Sequence, residues 1–329
     1  MTLERARYYR RPRGPWAGGE NEGGSGIPDS EVGITLSCEE IQLHLDEIWP
    51  RRVEDEGRVD REEGFKRDYP PLSAEDFGCH GGKPMRYGGD SKVFYHLLQY
   101  VKKSSPFFDD VLLGTVQRTK GRARFLVPQD YCNLTLPRLQ QRAIEIGRGG
   151  VEVGVLGDID WRDYFIEVPR ISHFLYLFLT SLCDVFLSPH PFGAGITSSE
   201  ALGLCVPPLV APSLMSVLPF TLGQVRGMGL GGLAVWSTKE YVDLAIGLGG
   251  IGGSMKDVCR MIISGGQRDV YHLSPLDSSP LTLSECLSYS SPKDLICARR
   301  KGLFDRERIH HAAEEWRVFL LRMARGMGD

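Results

Sequence analysis

The chain has 329 residues, of which 42% are hydrophobic and 25% charged, a composition typical of globular proteins with one or two domains. A formal net charge of −3 gives no general attraction to nucleic acid or to an acidic membrane surface, so we expect neither as a partner. The most apolar run, residues 171–187, is shorter than the ~20 residues that a membrane span needs. Eight cysteines stand singly without a CxxC pair. They predict free thiols and a cytoplasmic or nuclear location.

Residues 1–63 are predicted to form a disordered or low-complexity tail. A basic patch at 5–13 is followed by a stretch rich in Gly, Glu and Ser at 18–26, and such segments bury little apolar surface. One amphipathic helix is predicted within this tail, at residues 38–49. Its apolar face consists of Ile41, Leu45 and Ile48.

Predicted strands and helices alternate from residue 64 onward. In chain order the elements are a strand at 93–98, a helix at 107–117, a strand at 124–127, a helix at 137–146, a strand at either 151–156 or 164–168, a helix at 174–183 and a strand at 185–187. This alternation predicts a parallel, doubly wound sheet with helices on both faces. Ligands of such sheets bind at the carboxyl ends of the strands.

The most informative stretch is residues 184–210, a strand followed by a glycine-bearing loop, a helix start and a second strand. The loop glycines, including Gly195, allow the backbone to approach a ligand closely. Thr197 and Ser198 place hydroxyl and N–H groups where the helix dipole attracts an anion. Glu200, in the first helical turn, can accept hydrogen bonds from ribose hydroxyls. Two interpretations follow: an ordinary capped helix, or a cradle for a nucleotide diphosphate.

This stretch resembles the donor-binding signature of the protein O-GlcNAc transferase and SPINDLY family of glycosyltransferases, D-x-x-L-D-x-x-P-[FY]-x-G-x-[ST]-T-x-x-E-A-L-x-x-G-x-P. Ser188 replaces an Asp of that pattern and Cys205 replaces a Gly, and neither change removes a group that contacts the ligand. The resemblance implies that residues 64–329 form a Rossmann-like three-layer α/β/α domain, the C-terminal half of a GT-B glycosyltransferase. The matching residues are Asp184, Leu187, Pro191, Phe192, Thr197, Glu200, Ala201, Leu202 and Pro207.

The resemblance also implies donor-binding roles outside the signature. A Gln at a strand end and a Lys three residues before a Pro contact the diphosphate in the family, and Gln99 and Lys103 match them, with Lys102 as the alternative. His173 and Tyr176 match positions that contact or stack on the base. A solvated lysine pair and a packed helix cap are the alternative interpretations. The full predicted donor site is Gln99, Lys103, His173, Tyr176, Gly195, Thr197, Ser198 and Glu200.

The function implied by the resemblance is transfer of a sugar from a nucleotide sugar, UDP-GlcNAc or alternatively GDP-fucose, to a protein Ser or Thr, with no metal or other cofactor. The alternative is a catalytically inactive nucleotide-sugar-binding or scaffold module. The family's acceptor half precedes the donor half, and residues 1–63 are too few to encode it. We therefore expect a partner chain or further segment to supply it. The catalytic base is not identified; His80, in a glycine-rich loop, is a candidate.

Two features are predicted near the C-terminus. Residues 267–293 are rich in Ser, Pro and Leu without clear periodicity, which predicts an insertion in the domain. A helix with one apolar stripe is predicted at residues 306–323. Between these and the signature, Ser237 and Glu240 predict a capping box at a helix start.

Overall fold

The computed structural model describes residues 37–49, 72–77, 79–80, 83–84, 92–103, 105–148, 163–213, 220–266 and 280–300. The predicted helix at 306–323, the alternative strand at 151–156 and most of the predicted tail lie outside these ranges, as does the side chain of His80. The division into a tail up to residue 63 and a domain from residue 64 therefore stays a prediction.

The strands of the described residues number seven and form two sheets. A small antiparallel pair consists of β1 (Cys79–His80) and β2 (Lys83–Pro84). The main sheet is parallel and has the order β5-β4-β3-β6-β7. Its strands are β3 (Val93–His96), β4 (Ala123–Pro128), β5 (Phe165–Val168), β6 (Val185–Leu187) and β7 (Pro208–Leu209). The strand order reverses between β3 and β6, so a crevice opens beyond the carboxyl ends of these two strands.

Helices cover both faces of the main sheet. The described helices are α1 (Cys38–Ile48), α2 (Pro106–Thr119), α3 (Tyr131–Arg148), α4 (His173–Leu182), α5 (Ile196–Gly203), α6 (Phe220–Gly227), α7 (Thr238–Leu248), α8 (Met255–Gly266), α9 (Leu283–Leu287) and α10 (Pro292–Arg299). One apolar core lies between the sheet and helices that include α2, α3, α7 and α8. A second core lies between the opposite face and helices that include α1, α4 and α5. The predicted three-layer α/β/α fold is confirmed.

Strand β3 shows why the sheet needs both layers. Successive residues of a strand point to opposite faces of the sheet. The four side chains of β3 are nevertheless all buried, because helices cover both faces. Tyr95 stacks on Phe125 with ring centroids 5.2 Å apart in the first core. Phe94 stacks on Phe77 at 4.3 Å in the second core. A continuous apolar run of this kind is typical of a central parallel strand.

Helix α1 lies within the segment that the sequence predicts to be a tail. The predicted helix is confirmed: Ser37 Oγ accepts from the Glu40 N–H at 3.1 Å, and the Glu40 carboxylate accepts from the Ser37 N–H at 2.8 Å. This reciprocal cap satisfies two backbone donors at the helix start. The face formed by Ile41, Leu45 and Ile48 is buried in the second core, as its spacing predicts.

The expectation that the cysteines are free thiols is wrong for several of them. Disulfides join Cys205 to Cys297 and Cys259 to Cys286, with sequence separations of 92 and 27. Cys38 is also disulfide-bonded. Single cysteines far apart in the sequence carry no signal of pairing, because only the fold brings their Cα atoms within the 4.8 and 5.8 Å seen here.

Residues 280–300, which include the end of the predicted insertion, pack against the rest of the domain. Leu281 and Cys286 are buried in the first core, and α9 and α10 each begin at a capping hydroxyl residue.

The capping box predicted at α7 forms in part. Ser237 Oγ accepts from the Glu240 N–H at 3.2 Å, whereas the Glu240 carboxylate accepts from the N–H of Trp236 at 3.0 Å.

Candidate nucleotide-binding site

The loop between β6 and α5 is held in shape by its own hydrogen bonds. The Gly193 N–H donates to the Pro189 carbonyl at 2.7 Å, and Gly193 has a φ of 71°, a value that favours glycine. Ser188 Oγ accepts from the Ala194 N–H at 3.0 Å, and Ser188 is fully buried. Ser188, which replaces an Asp of the family pattern, therefore holds the loop in place through its hydrogen bond with the Ala194 N–H.

Three of the predicted donor-site residues meet at the carboxyl ends of β3 and β6. Gln99, just after β3, donates through its side-chain amide to Thr197 Oγ1 in the first turn of α5, at 2.8 Å. Lys103 donates to the Gln99 side-chain oxygen at 3.2 Å. The structure thus places a hydroxyl, an amide and an ammonium group in one chain of contacts beside the start of a helix.

The two lysines predicted as alternatives differ in their surroundings. Lys103 is half-buried and turns toward Gln99. Lys102 is exposed, and its ammonium group lies 5.6 Å from the ring centroid of Tyr100. The structure therefore brings Lys103, the first choice, to the other predicted residues.

A second group of predicted residues lies where α4 and α5 begin. His173 Nε2 is 3.3 Å from a Glu200 carboxylate oxygen, and the His173 ring stacks on Tyr176 with centroids 5.9 Å apart. The side chain of His173 is 68% exposed and that of Glu200 is 19% exposed. Burial raises the pKa of Glu200, and the nearby His173 opposes this shift. An aromatic face and a carboxylate therefore adjoin the Thr197 helix start.

Ser198 takes a different position from its neighbour Thr197. Its hydroxyl is buried beneath the loop, where it donates to the Ala194 carbonyl at 2.6 Å and contacts the Gln224 side-chain oxygen at 2.7 Å. Thr221 Oγ1 also donates to the Ala194 carbonyl, at 2.7 Å. This placement favours a structural role for the Ser198 hydroxyl, and its predicted donor contact stays a prediction.

The supporting residues on α6 were not named from the sequence. Gln224 contacts both Ser198 and Ser199, so α6 is tied to the first turn of α5. The available signal was the spacing of Thr221 and Gln224, which puts both on one face of a helix. That spacing does not identify their partners.

A buried histidine behind the site was also missed. His96, the last residue of β3, stacks on Phe186 at 4.7 Å and meets the Tyr176 ring edge-on at 5.5 Å. Within the described residues, neither ring nitrogen of His96 nor the Tyr176 hydroxyl has a hydrogen-bond partner. Burial lowers the pKa of His96 to about 3, so the ring is neutral at physiological pH.

A small open cavity of 30 Å³ adjoins the loop between Phe192, Gly195 and Phe220. Phe192 and Phe220 are exposed at its rim, at 69% and 56%.

Across the described ranges, no group of three or more His, Cys, Asp or Glu side chains is arranged to hold a metal ion. No described helix is long and apolar enough to cross a membrane.

Solved structures with a similar fold were found at low identity. An O-GlcNAc transferase from Thermobaculum terrenum is 19% identical with a TM-score of 0.39, covering 68% of this chain and 40% of its own. A UDP-forming α,α-trehalose-phosphate synthase from Burkholderia xenovorans is 11% identical with a TM-score of 0.35, covering 82% and 50%. The corresponding synthase from Burkholderia vietnamiensis is 12% identical with a TM-score of 0.33, covering 68% and 43%. These proteins are glycosyltransferases.

The chain spans between two fifths and half of the length of these structures. No protein-family model matches the chain, and no curated protein matches it.

Proposed function

We propose that this chain is the donor-binding half of a glycosyltransferase that uses a nucleotide sugar. The observation that carries the proposal is the convergence of Lys103, Gln99 and Thr197 at the point where the strand order reverses. Thr197 is 98 positions from Gln99 in the sequence, and the three residues meet where open α/β sheets bind their ligands. The preferred donor is UDP-GlcNAc, with GDP-fucose as the alternative, and the preferred acceptor is a protein Ser or Thr.

The donor diphosphate is assigned to Lys103 and the start of α5. The ammonium group of Lys103 neutralises part of the phosphate charge, and the Thr197 hydroxyl donates to a phosphate oxygen. The first N–H groups of a helix lack intrahelical partners and carry partial positive charge. Groups fixed in this way stabilise the negative charge that develops on the diphosphate as the sugar departs.

The nucleoside is assigned to the group at the start of α4. The His173 ring has an exposed face for the base, whereas Tyr176 lies behind His173 and supports it. Glu200 is the acceptor for the ribose hydroxyls. Its carboxylate is ionised for this role above its raised pKa.

The remaining assignments complete the proposal. A partner chain or a further segment supplies the acceptor half and the catalytic base, and binding of the donor needs no metal ion. The cytoplasmic or nuclear location predicted from the single cysteines assumed that they are free thiols. The disulfides favour an oxidising compartment instead, because glutathione and thioredoxin keep cytosolic thiols reduced.

The binding test is calorimetric titration of the chain with UDP, GDP and ADP, with and without EDTA. We expect UDP or GDP to bind, to raise the melting temperature by mass action and to bind equally well with EDTA. The Thr197→Val variant keeps the side-chain volume but loses the hydroxyl, so it should bind the diphosphate more weakly than wild type. Absence of binding by every nucleoside diphosphate at millimolar concentration would overturn the proposal.

A transfer test separates an enzyme from an inactive binding module. Purified chain is incubated with labelled UDP-GlcNAc or GDP-fucose and a mixed protein extract. We expect slow transfer or none from this chain alone, since a missing general base removes about 10²–10⁴-fold in rate. Fast incorporation that disappears in Glu200→Ala would show that this half suffices and that no separate acceptor half is needed.

A further inference from the structure

Helix α10 touches the C-terminal ends of three helices that begin at the candidate site. Lys293 donates to the Ser181 carbonyl in the last turn of α4, at 3.0 Å. Arg300, just after α10, donates to the carbonyl of Gly203, the last residue of α5. Arg299 donates to the carbonyl of Met228, just after α6, at 3.4 Å.

These contacts place cationic side chains at the C-terminal ends of helices, where positive charge is favourable. The last four carbonyls of a helix lack intrahelical partners and carry partial negative charge, so cations there are stabilising. One helix that places three cations at three such ends fixes those ends relative to one another. We call Lys293, Cys297, Arg299 and Arg300 the α10 clamp.

The opposite ends of the same helices carry the site. Helix α4 begins with His173, α5 carries Thr197 and Glu200 in its first turns, and α6 supports α5 through Gln224. Helix α5 is only eight residues long, about 12 Å. A shift at its clamped end is therefore transmitted to the His173–Glu200 contact, because a short helix moves as a rigid unit.

A covalent bond also joins α10 to the segment that follows α5. The disulfide between Cys205, two residues after α5, and Cys297, within α10, joins segments that are 92 residues apart in the chain. The Cys259–Cys286 disulfide joins α8 to α9, and neither of these helices carries a residue of the candidate site. The two bonds thus differ in their relation to the site and provide a matched pair for comparison.

We propose that the α10 clamp positions the nucleotide site, and that the Cys205–Cys297 disulfide makes nucleotide binding depend on thiol redox state. A dithiol reductant cleaves the S–S bond and transfers two electrons and two protons, so that Cys205 and Cys297 become thiols and the reductant becomes a disulfide. The three cation–carbonyl contacts of the α10 clamp then remain without the covalent bond. The ligand measurement rests on the proposed function.

The experiment compares wild type with the double variants Cys205→Ser/Cys297→Ser and Cys259→Ser/Cys286→Ser. Two quantities are measured: the dissociation constant of UDP, and amide hydrogen exchange across α4 and α5. We expect loss of the Cys205–Cys297 bond to weaken UDP binding by about tenfold and to increase exchange in α4 and α5. Loss of the Cys259–Cys286 bond should change neither quantity, and a dithiol added to wild type should reproduce the first variant's result.

Each outcome decides between the alternatives. Equal effects of the two double variants, or unchanged exchange in α4 and α5 after loss of the Cys205–Cys297 bond, would overturn the clamp. If the first variant fails to fold, Arg300→Ala tests the clamp with the disulfide intact, and Arg300→Lys should restore binding. If wild type binds none of UDP, GDP and ADP, the proposed function fails, whereas hydrogen exchange still decides whether α10 positions α4 and α5.

Discussion

The side-chain amide of Gln99 donates to Thr197 Oγ1 at 2.8 Å, although the two residues are 98 positions apart in the sequence. This bond spans the crevice between the ends of β3 and β6, and the ammonium group of Lys103 extends it. A polar chain of this kind fixes the helix start of α5 relative to the strand end of β3. It also makes the assignment of the diphosphate to this crevice testable by single substitutions.

The first prediction distinguishes the two neighbouring lysines. Lys103→Ala should weaken UDP binding by about 1.5–3 kcal/mol, the usual value of a charge-assisted hydrogen bond, and should weaken uridine binding much less. Lys102→Ala is the matched control and should leave both affinities near wild type. Calorimetric titration measures them, and the reverse ranking of the two variants would transfer the role to Lys102.

The second prediction concerns the buried histidine behind the site. The pKa of His96 falls from the ordinary 6.5 to about 3 on folding, so the unfolded chain binds more protons between these values. Protonation of His96 therefore does not affect the free energy of unfolding above pH 6.5. As the pH falls from 6.5 toward 3, the free energy of unfolding decreases by up to about 1.4 kcal/mol per pH unit.

His96→Phe should remove this pH dependence, because phenylalanine keeps the stacking on Phe186 and does not titrate. The variant also eliminates two buried nitrogens that have no partner within the described residues, so it should be more stable than wild type at pH 5 by about 2 kcal/mol or more. Urea unfolding at pH 5 and pH 7 measures both effects, with His173→Gln as the exposed control. An unchanged slope between the two pH values would assign the dependence to another group.

The third prediction compares two adjacent aspartates on α2. Asp109 accepts two hydrogen bonds from Arg138, at 2.6 and 2.7 Å, and its side chain is 2% exposed. Burial raises the pKa of Asp109, and Arg138 opposes that shift. Asp109→Asn should lower the free energy of unfolding by about 1–3 kcal/mol, because a buried charge-assisted pair is lost.

Asp110→Asn is the control for this pair. Asp110 also binds an arginine, Arg142, but both side chains are partly exposed, at 29% and 41%. Solvent-exposed pairs contribute about 0–1 kcal/mol, so this variant should unfold near wild type. Equal losses in the two variants would contradict the importance given to burial.

The fourth prediction concerns a close backbone contact between the 3-10 turn at residues 231–233 and α8. A Cβ atom added to Gly232 would lie 1.6 Å from the carbonyl oxygen of Ile262. Backbone atoms cannot move aside as a flexible side chain does, so Gly232→Ala should cost about 3 kcal/mol or more. The neighbouring Gly231→Ala would meet only ordinary contacts at 3.5 Å or beyond and should be nearly neutral. Thermal unfolding of both variants tests the contact.

The sequence by itself determined the layers of the fold and predicted where along the chain a candidate site lies. Apolar runs such as Val93–His96 and Val185–Leu187, each followed by a helix, specify buried parallel strands, because local periodicity records which faces must be covered. The glycine loop before Thr197 marked a place where a ligand can approach. Both signals are local, so they can be read from a few adjacent residues.

Only the tertiary structure decided which residues meet. Thr197 and Ser198 are adjacent hydroxyl residues in an eight-residue helix, yet one contacts Gln99 and the other is buried against Gln224. The pairing of Cys205 with Cys297 likewise depends on where α10 packs. Such contacts depend on how distant elements pack. Local sequence patterns do not predict them, because Thr197 and Ser198 both carry a hydroxyl group and only the fold determines where each side chain points.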